Sequence, residues 1–341
     1  MLHFNIEPGE PNNSNADEYL VVRQNIIGQV EIWKIGSKVT LDTSIYFSGY
    51  GRASISNNGQ LAFLTNGVIQ VYDTKTRKTI SLVGDSLLDA SPTISPNGEI
   101  VAYESMKKLH IYDLNTKVNS EFGDTVSSVD FDLGFIPMWS PDGNYIAYVR
   151  SSKLYIAAVN GKTIDSLYTL TNALQSKIFW AYNSKNILFY SSGSVSSDYS
   201  LYSIDISNKQ VNNMFRSFEF YPSVVGDIDS FYSEYNVSKN SDKVNVQQTK
   251  EKNEGQNIVS YSYNNYLLDF NGNAVNKSVI YDNTPNLLYK DWINNEDKMY
   301  YLNENNIIIF DPRTNASSTY GLAQLGKNNF YSSFVIKYSN N

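Results

Sequence analysis

The stretch Ser140-Pro141-Asp142-Gly143-Asn144, set between Trp139 and the alternating run Tyr145 to Val149, recurs along the chain. This recurrence restricts the fold more than any other feature, because repeats define an architecture before single elements do. ISPNGEIVAYE (Ile94 to Glu104) carries Asn97-Gly98 where the first copy has Asp142-Gly143, and ISNNGQLAFL (Ile55 to Leu64) is a copy one residue shorter. WAYNSKNILFY from Trp180, VSKNSDKVNVQ from Val237 and WINNEDKMYYL from Trp292 are weaker copies, so Trp139, Trp180 and Trp292 share one phase. Asp-Gly and Asn-Gly suit a two-residue hairpin turn, which needs positive φ at both positions; each copy therefore predicts two antiparallel strands joined there.

A second phase advances with the first. IQVYDTKT (Ile69 to Thr76), LHIYDLNT (Leu109 to Thr116), LYIAAVNG (Leu154 to Gly161), LYSIDISN (Leu201 to Asn208), YLLDFNG (Tyr266 to Gly272) and IIIFDPRT (Ile308 to Thr314) each read as an apolar strand ending in a polar turn, with VEIWKIGS (Val30 to Ser37) as the earliest copy. Asp73, Asp113, Asp205, Asp269 and Asp311 sit where an aspartate side chain bonds nearby backbone N–H groups in a turn. From Lys34 through Asp73, Asp113, Ala158, Asp205 and Asp269 to Asp311 the interval averages about 46 residues, the spacing of propeller blades. The expectation is an all-β chain: a single β-propeller domain over 1–341 of four-stranded blades. Seven blades fit best, with six or eight as alternatives, and residues 328–341 supply a ring-closing or extra strand. A β-sandwich or barrel is the competing reading, and two motif phases marching together argue against it.

Composition narrows the function classes. Lys plus Arg number 27 against 34 Asp plus Glu, a net charge of −7, which disfavours nucleic acid because phosphate affinity rests on basic side chains. With no cysteine, a thiolate metal site and a cysteine nucleophile are excluded. No window has the apolar length of a membrane-spanning helix. The opening MLHFNIEPGEP lacks the basic start and apolar core of a secretion signal. The expected location is periplasmic, cell-surface or secreted if a signal has been removed, and cytoplasmic otherwise.

The pattern S-P-D/N-G, an apolar strand and then a Leu-Tyr-x-x-Asp strand resembles the TolB-like (WD40-like, PD40) β-propeller repeat of bacteria. Ser95-Pro96-Asn97-Gly98 and Ser140-Pro141-Asp142-Gly143 carry the resemblance, which covers residues 50 to 210 well and the remainder by period. It implies a protein-binding platform at the bacterial envelope. The extra N-terminal domain of TolB has no room in this chain, which argues against a role in the Tol system. The same repeat gates prolyl-oligopeptidase-like peptidases, yet no G-x-S-x-G nucleophile elbow occurs here.

Catalytic chemistry finds little material. There are two histidines: His3 near the start, and His110 inside the strand LHIYD, where a packed imidazole is the simpler reading than a general base. No catalytic residue and no metal ligand is assigned. Asp130 with Asp132 and Asp227 with Asp229 are the paired carboxylates, which could serve a polysaccharide hydrolase or lyase, or hold Ca2+, but which read first as solvated loop acids. No cofactor is expected, with Ca2+ the sole candidate. Six arginines are too few and too scattered for a sialidase-type carboxylate cluster.

Binding is expected at one channel mouth, where the loops leading into each innermost strand gather with those joining the second and third strands. By phase, those loops hold Tyr50, Arg52, Asp89, Ser91, Asp130, Asp132, Phe135, Gln175, Asp227, Asp229 and Asn283. A rim that mixes acids, amides and aromatics suits a protein or peptide partner. The oligomeric state expected is a monomer. Two insertions interrupt the period, SSGSVSSDYS (Ser191 to Ser200), which reads as a flexible loop, and Gln247 to Tyr263, which either lengthens a hairpin or projects from the rim. The function expected is a non-enzymatic scaffold or adaptor, with the polysaccharide enzyme as its rival.

Overall fold

The structure is a computed structural model. It describes residues 19–25, 29–36, 39–46, 53–82, 91–105, 108–122, 136–150, 153–170, 178–192, 199–216, 230–254, 257–269, 274–276, 289–293, 296–302, 306–314, 316–321 and 330–337. Among the described residues there are strands and turns and no helix. The strands form seven four-stranded antiparallel sheets, the blades of the expected all-β propeller.

In chain order, sheet I contains β1 (Tyr19–Asn25), β2 (Gln29–Ile35) and β3 (Val39–Tyr46). Sheet II contains β4 (Ser54–Ile55), β5 (Gln60–Thr65), β6 (Val68–Asp73) and β7 (Lys78–Ser81). Sheet III contains β8 (Thr93–Ile94), β9 (Ile100–Ser105), β10 (Lys108–Asp113) and β11 (Asn119–Phe122). Sheet IV contains β12 (Met138–Trp139), β13 (Tyr145–Arg150), β14 (Lys153–Ala158) and β15 (Thr163–Thr169). Sheet V contains β16 (Ile178–Trp180), β17 (Asn186–Ser192), β18 (Tyr199–Asp205) and β19 (Val211–Arg216). Sheet VI contains β20 (Ser230–Val237), β21 (Lys243–Glu254), β22 (Asn257–Asp269) and β23 (Ala274–Asn276). Sheet VII contains β24 (Tyr289–Trp292), β25 (Met299–Leu302), β26 (Asn306–Asp311) and β27 (Ala316–Gly321). The last strand, β28 (Phe330–Lys337), joins sheet I beside β1, with Tyr19 opposite Lys337 and Gln24 opposite Ser332.

The chain divides into two compact units, one of residues 1–47 with 286–341 and one of residues 48–285. The first holds sheets I and VII, packed through Tyr19, Val21, Trp33 and Ile35 against Ile293, Tyr300, Ile307 and Ile309. The second holds sheets II to VI. Its core is a series of face-to-face layers. Ala62, Leu64 and Val71 meet Ile94, Val101 and Tyr103; Ala102, Leu109 and Ile111 meet Ile146 and Tyr148; Leu154 and Ile156 meet Ile178, Ile187 and Ile204; and Leu188 and Leu201 meet Val244, Val246 and Leu268. Sheets III, IV and V are thus buried on both faces, which is why their central strands carry apolar runs instead of strict alternation.

The shared tryptophan phase has a specific task in the second unit. Trp139 donates its indole N–H to the backbone carbonyl of Thr93 at 3.1 Å, and Trp180 donates to that of Met138 at 2.8 Å. Each indole therefore ties one blade's innermost strand to the innermost strand before it. Sheet II and sheet III are tied with the backbone and side-chain roles exchanged, the amide of Ile94 donating to Ser54 Oγ at 2.8 Å.

The repeated turn differs from the two-residue hairpin expected. Trp139 lies opposite Ile146, and the Ser140 amide donates to the Tyr145 carbonyl at 2.9 Å, so four residues, Pro141 to Asn144, form the loop. Within it the Gly143 amide donates to the Ser140 carbonyl at 2.9 Å. Pro at the second position and Asp at the third suit a type I turn closed this way, and four-residue hairpin loops are most often built around one. Only the glycine takes the left-handed conformation: φ is +75° at Gly143, +77° at Gly98 and +90° at Gly59, with neither Asp142 nor Asn97 in that region. Asp142 works through its side chain, accepting from Ser140 Oγ at 2.6 Å and from the Asn144 amide at 3.0 Å. The weak copy keeps the geometry with other residues, Ser184 taking φ +54° in the glycine's place and Asn183 Oδ1 accepting from the Lys185 amide at 2.9 Å. A two-residue Asn-Gly turn does occur elsewhere, at Asn66-Gly67 between β5 and β6, with φ of 51° and 75°.

The outer turns hold a second strained position. Arg77, Lys117, Lys162 and Lys209 have φ of 59°, 60°, 49° and 59°. Two of these lysines reach the neighbouring blade: Lys162 Nζ donates to Ser120 Oγ at 3.2 Å, and Lys209 Nζ donates to the Ser166 carbonyl at 3.0 Å beside Asp165. The left-handed conformation costs a residue with a Cβ about 1–2 kcal/mol, and glycine avoids it. Lys117→Gly is expected to raise stability by about 0.5–1 kcal/mol, while Lys209→Gly, which also loses its cross-blade bonds, gains less; urea denaturation of both variants checks the difference.

Candidate functional site

Adjacent strands run antiparallel, so in each sheet the first-to-second and third-to-fourth strand turns lie at one end, and the loops leading into the sheet lie at the other with the second-to-third strand turns. At the first end the recurring polar residues are committed to the turns themselves. Asp113 Oδ1 accepts from the amides of Asn115 and Thr116 at 2.9 and 2.8 Å, and Asp73 does the same for Lys75 and Thr76 at 2.8 and 2.9 Å. Asp205 accepts from the Ser207 amide and hydroxyl, and Asp311 from the Arg313 amide at 2.9 Å and its guanidinium at 3.0 Å. These are the turn-forming aspartates the sequence predicts. Asp269 is placed in register with Lys243 at the end of β22. The two turns also clasp each other, the Leu114 amide donating to the Glu99 carbonyl at 2.8 Å and the Ile206 amide to that of Lys185 at 2.9 Å.

Hydrogen bonds to the ionised form set the acid behaviour of these groups. The Thr116 amide holds the Asp113 carboxyl below its ordinary range, the Ser207 hydroxyl does so for Asp205, and the Arg313 guanidinium for Asp311. A carboxyl depressed in the folded state contributes stability that is complete above its unfolded pKa of about 3.9 and is lost as pH falls through the lower folded value. The triple variant Asp113→Asn, Asp205→Asn, Asp311→Asn keeps an acceptor oxygen in each turn. It is expected to be somewhat less stable than wild type at pH 7 and to converge with it below about pH 3, read from thermal midpoints across that range.

At the opposite end the structure places few of the expected rim residues. Tyr50, Arg52, Asp89, Asp130, Asp132, Phe135, Gln175, Asp227, Asp229 and Asn283 lie outside the described residues. Ser91 is described, and it is buried just ahead of β8 instead of standing on an open rim. His110 lies on β10 and stacks on Tyr103 of β9, with ring centroids 5.3 Å apart and an interplanar angle of 18°. Its equivalents in sheets IV and V are also stacked pairs, Tyr148 with Tyr155 and Phe189 with Tyr202. The imidazole thus fills an aromatic cross-strand site, the packed role expected of it. His3 lies outside the described residues, and no group of His, Asp or Glu among the described residues could hold a metal ion.

Of the two insertions, Ser191 to Ser200 is in part strand: Ser191 and Ser192 end β17, and Tyr199 and Ser200 begin β18, with Ser192 opposite Tyr199. Gln247 to Tyr263 lengthens the hairpin, Glu254 pairing with Asn257.

A polar cluster that sequence inspection does not reveal lies in the first unit. Tyr19 Oη donates to Glu296 Oε2 at 3.0 Å and accepts from Lys298 Nζ at 3.2 Å. Glu296 also pairs with Lys298 at 2.8 Å and with Lys337 at 3.5 Å. Burial pushes the Tyr19 phenol well above its ordinary pKa, with the Lys298 bond acting against it. One carboxylate thus joins β1, β28 and the turn leading into β25. Its partners are far apart in sequence, so no local motif marks it.

No family model and no curated protein matches the sequence. Solved structures do match. A protein from Lactobacillus plantarum is similar at a TM-score of 0.58 and 10% identity, over 94% of this chain and 99% of that one. Hydrazine synthase from Kuenenia stuttgartiensis matches at 0.53 and 14% identity, over 83% of this chain and 85% of that one. TolB from Acinetobacter baumannii, of the group whose repeat this sequence resembles, matches at 0.45 and 14%, over 93% and 82%. The fold is that of a β-propeller. At these identities the likeness extends to architecture and not to activity. Among the described residues no helix is long and apolar enough to cross a membrane.

Proposed function

We propose that the protein is a non-enzymatic scaffold that binds a protein or peptide partner at the blade end where the loops lead into the innermost strands, at the bacterial envelope or outside the cell. The observation that carries this reading is the division of labour between the two ends of each sheet. At one end Ser140, Asp142, Asp113 and Asp205 are consumed by turn geometry that repeats from blade to blade. At the other, the segments 82–92, 123–137 and 217–229 differ in length and sequence. Loops of that kind carry recognition because the strands beneath them are rigid.

Arg52, Asp132 and Asp229 are the side chains we assign to contact with the partner. Affinity capture from envelope and soluble fractions of the native cell tests the reading, comparing wild type with the variant Arg52→Ala, Asp132→Ala, Asp229→Ala. A partner lost by a variant of unchanged circular dichroism supports it. Equal capture by both proteins moves the site elsewhere, and turnover of a polysaccharide by the wild type would replace the scaffold with an enzyme.

A further inference from the structure

A lysine clasp ties sheet III to sheet IV and sheet IV to sheet V, and it is missing between sheets II and III. Lys162 of sheet IV bonds Ser120 of sheet III, and Lys209 of sheet V bonds Asp165 and the Ser166 carbonyl of sheet IV. The two side-chain acceptors stand at one register position, Ser120 opposite Ile111 and Asp165 opposite Ile156. In sheet II that position holds Ile80, opposite Val71. Val71 packs in the layer between sheets II and III, and residues directly opposite each other share a face, so Ile80 is turned toward sheet III. The lysine equivalent to Lys162 and Lys209 is Lys117. It meets no acceptor at position 80, and among the described residues its side chain makes no hydrogen bond or ion pair.

Ile80 is 50% exposed, and Val118, which follows Lys117, is 53% exposed; among the described residues the other large hydrophobic side chains so exposed are tyrosines. Val118 also stands where the repeat is otherwise polar, since the equivalent position holds Lys78 in sheet II, Thr163 in sheet IV and Gln210 in sheet V. It shares its face with Ser120, on the sheet IV side, so Ile80 and Val118 flank the outer end of sheet III on either side of Lys117. Apolar side chains scattered singly over a surface need no explanation. These two interrupt a polar pattern, and they border a basic patch. The two outer turns carry Lys75, Arg77, Lys78 and Lys117 against Asp73 and Asp113, in a chain of net charge −7. Lys117 moreover keeps its left-handed φ of 60° without the cross-blade bond that Lys162 and Lys209 make, and strain with no structural return points to function.

We infer that the outer end of sheets II and III is a second docking surface, for an acidic segment of a partner protein that seats aliphatic side chains on Ile80 and Val118 and sets a carboxylate against Lys117. Charge selects the occupant, because the patch is basic on a chain that is acidic as a whole, and local potential decides which segments approach. The partner's carboxylate takes the place that Asp165 holds for Lys209 one blade pair further on. A contact of this size belongs to the weak, transient class of interfaces. It lies at the turn end of the blades and uses none of Arg52, Asp132 and Asp229, so it stands or falls separately from the rim-binding reading.

Fluorescence anisotropy of the full chain with the labelled peptide Asp-Leu-Glu-Val-Asp-Leu-Glu tests this, beside one peptide with Ser for Leu and Val and another with Asn and Gln for the acids. The first is expected to bind with a Kd near about 100 µM, and each of the others at least about tenfold more weakly. Ile80→Ser, which copies Ser120, and Ile80→Asp, which copies Asp165, should each weaken the first peptide at least about tenfold. Neither should lower the thermal midpoint, since Ile80 is half exposed and both replacements offer Lys117 an acceptor. The variant Arg52→Ala, Asp132→Ala, Asp229→Ala should bind the peptide as wild type does, which separates a failure here from a failure at the rim. No binding by wild type at about 1 mM peptide overturns the inference, as do equal binding of all three peptides, or Ile80 variants that bind like wild type or melt earlier. Phosphatidylglycerol vesicles that bind the protein and displace the peptide would also overturn it, by giving the surface to lipid.

Discussion

Trp180→Ala is expected to destabilise the protein by about 3–5 kcal/mol, the range for deleting a buried large aromatic. The side chain is 4% exposed, packs among Leu154, Ile178, Ile187 and Phe189, and its N–H satisfies the Met138 carbonyl. Truncation therefore opens a cavity and orphans a carbonyl at a blade junction. Trp180→Phe keeps most of the volume and loses the bond, which places its cost near 1–3 kcal/mol. Trp139 makes the same kind of bond from a less buried strand, so Trp139→Ala should cost less than Trp180→Ala. Chemical denaturation of the four proteins orders them; equal costs for Trp180→Ala and Trp180→Phe would show that the bond, and not the packing, dominates.

The second large effect concerns the chain's last strand. A chain ending at Gly326 lacks β28 and leaves β1 unpaired on one side, from Tyr19 to Asn25. It also loses Lys337 from the Glu296 cluster. The buried side chains of Leu20, Val21 and Val22 then sit on an edge without a neighbour. The thermal midpoint is expected to fall by more than about 10 °C, the equivalent of roughly 5 kcal/mol for a chain of this size. Glu296→Ala, which removes only the cluster, should produce a smaller fall, separating the strand's contribution from the ion pairs'. An unchanged midpoint in the shortened chain would mean that sheet I does not depend on its fourth strand.

The phase of Trp139 and Trp180, the turn aspartates and the seven-blade period are all legible in the sequence, because each recurs and each has a backbone reason to recur. The type of the inner turn is less so. Gly143 signals a positive φ, but whether Asp142 shares it depends on loop length, and Pro141 was the residue that favoured the longer loop. Ser184 and Asn183 show how a turn can keep its shape with no Gly at all, which is why that copy reads as weak. The rim residues follow no period, so pattern locates their loops and says nothing of how Asp132 or Asp229 is arranged. The Glu296 cluster escapes for a different reason, since Tyr19 and Glu296 meet across 277 positions of sequence.

That separation bears on how the protein is made. During synthesis β1 leaves the ribosome about 300 residues before β28, an interval of roughly 15–60 s at ordinary elongation rates. Throughout that time the apolar strand from Leu20 to Val22 has β2 on one side and nothing on the other, while the later blades can already fold around their own hairpins. The nascent chain therefore carries a sticky edge until its final segment arrives, and chaperone demand should track the time to that arrival.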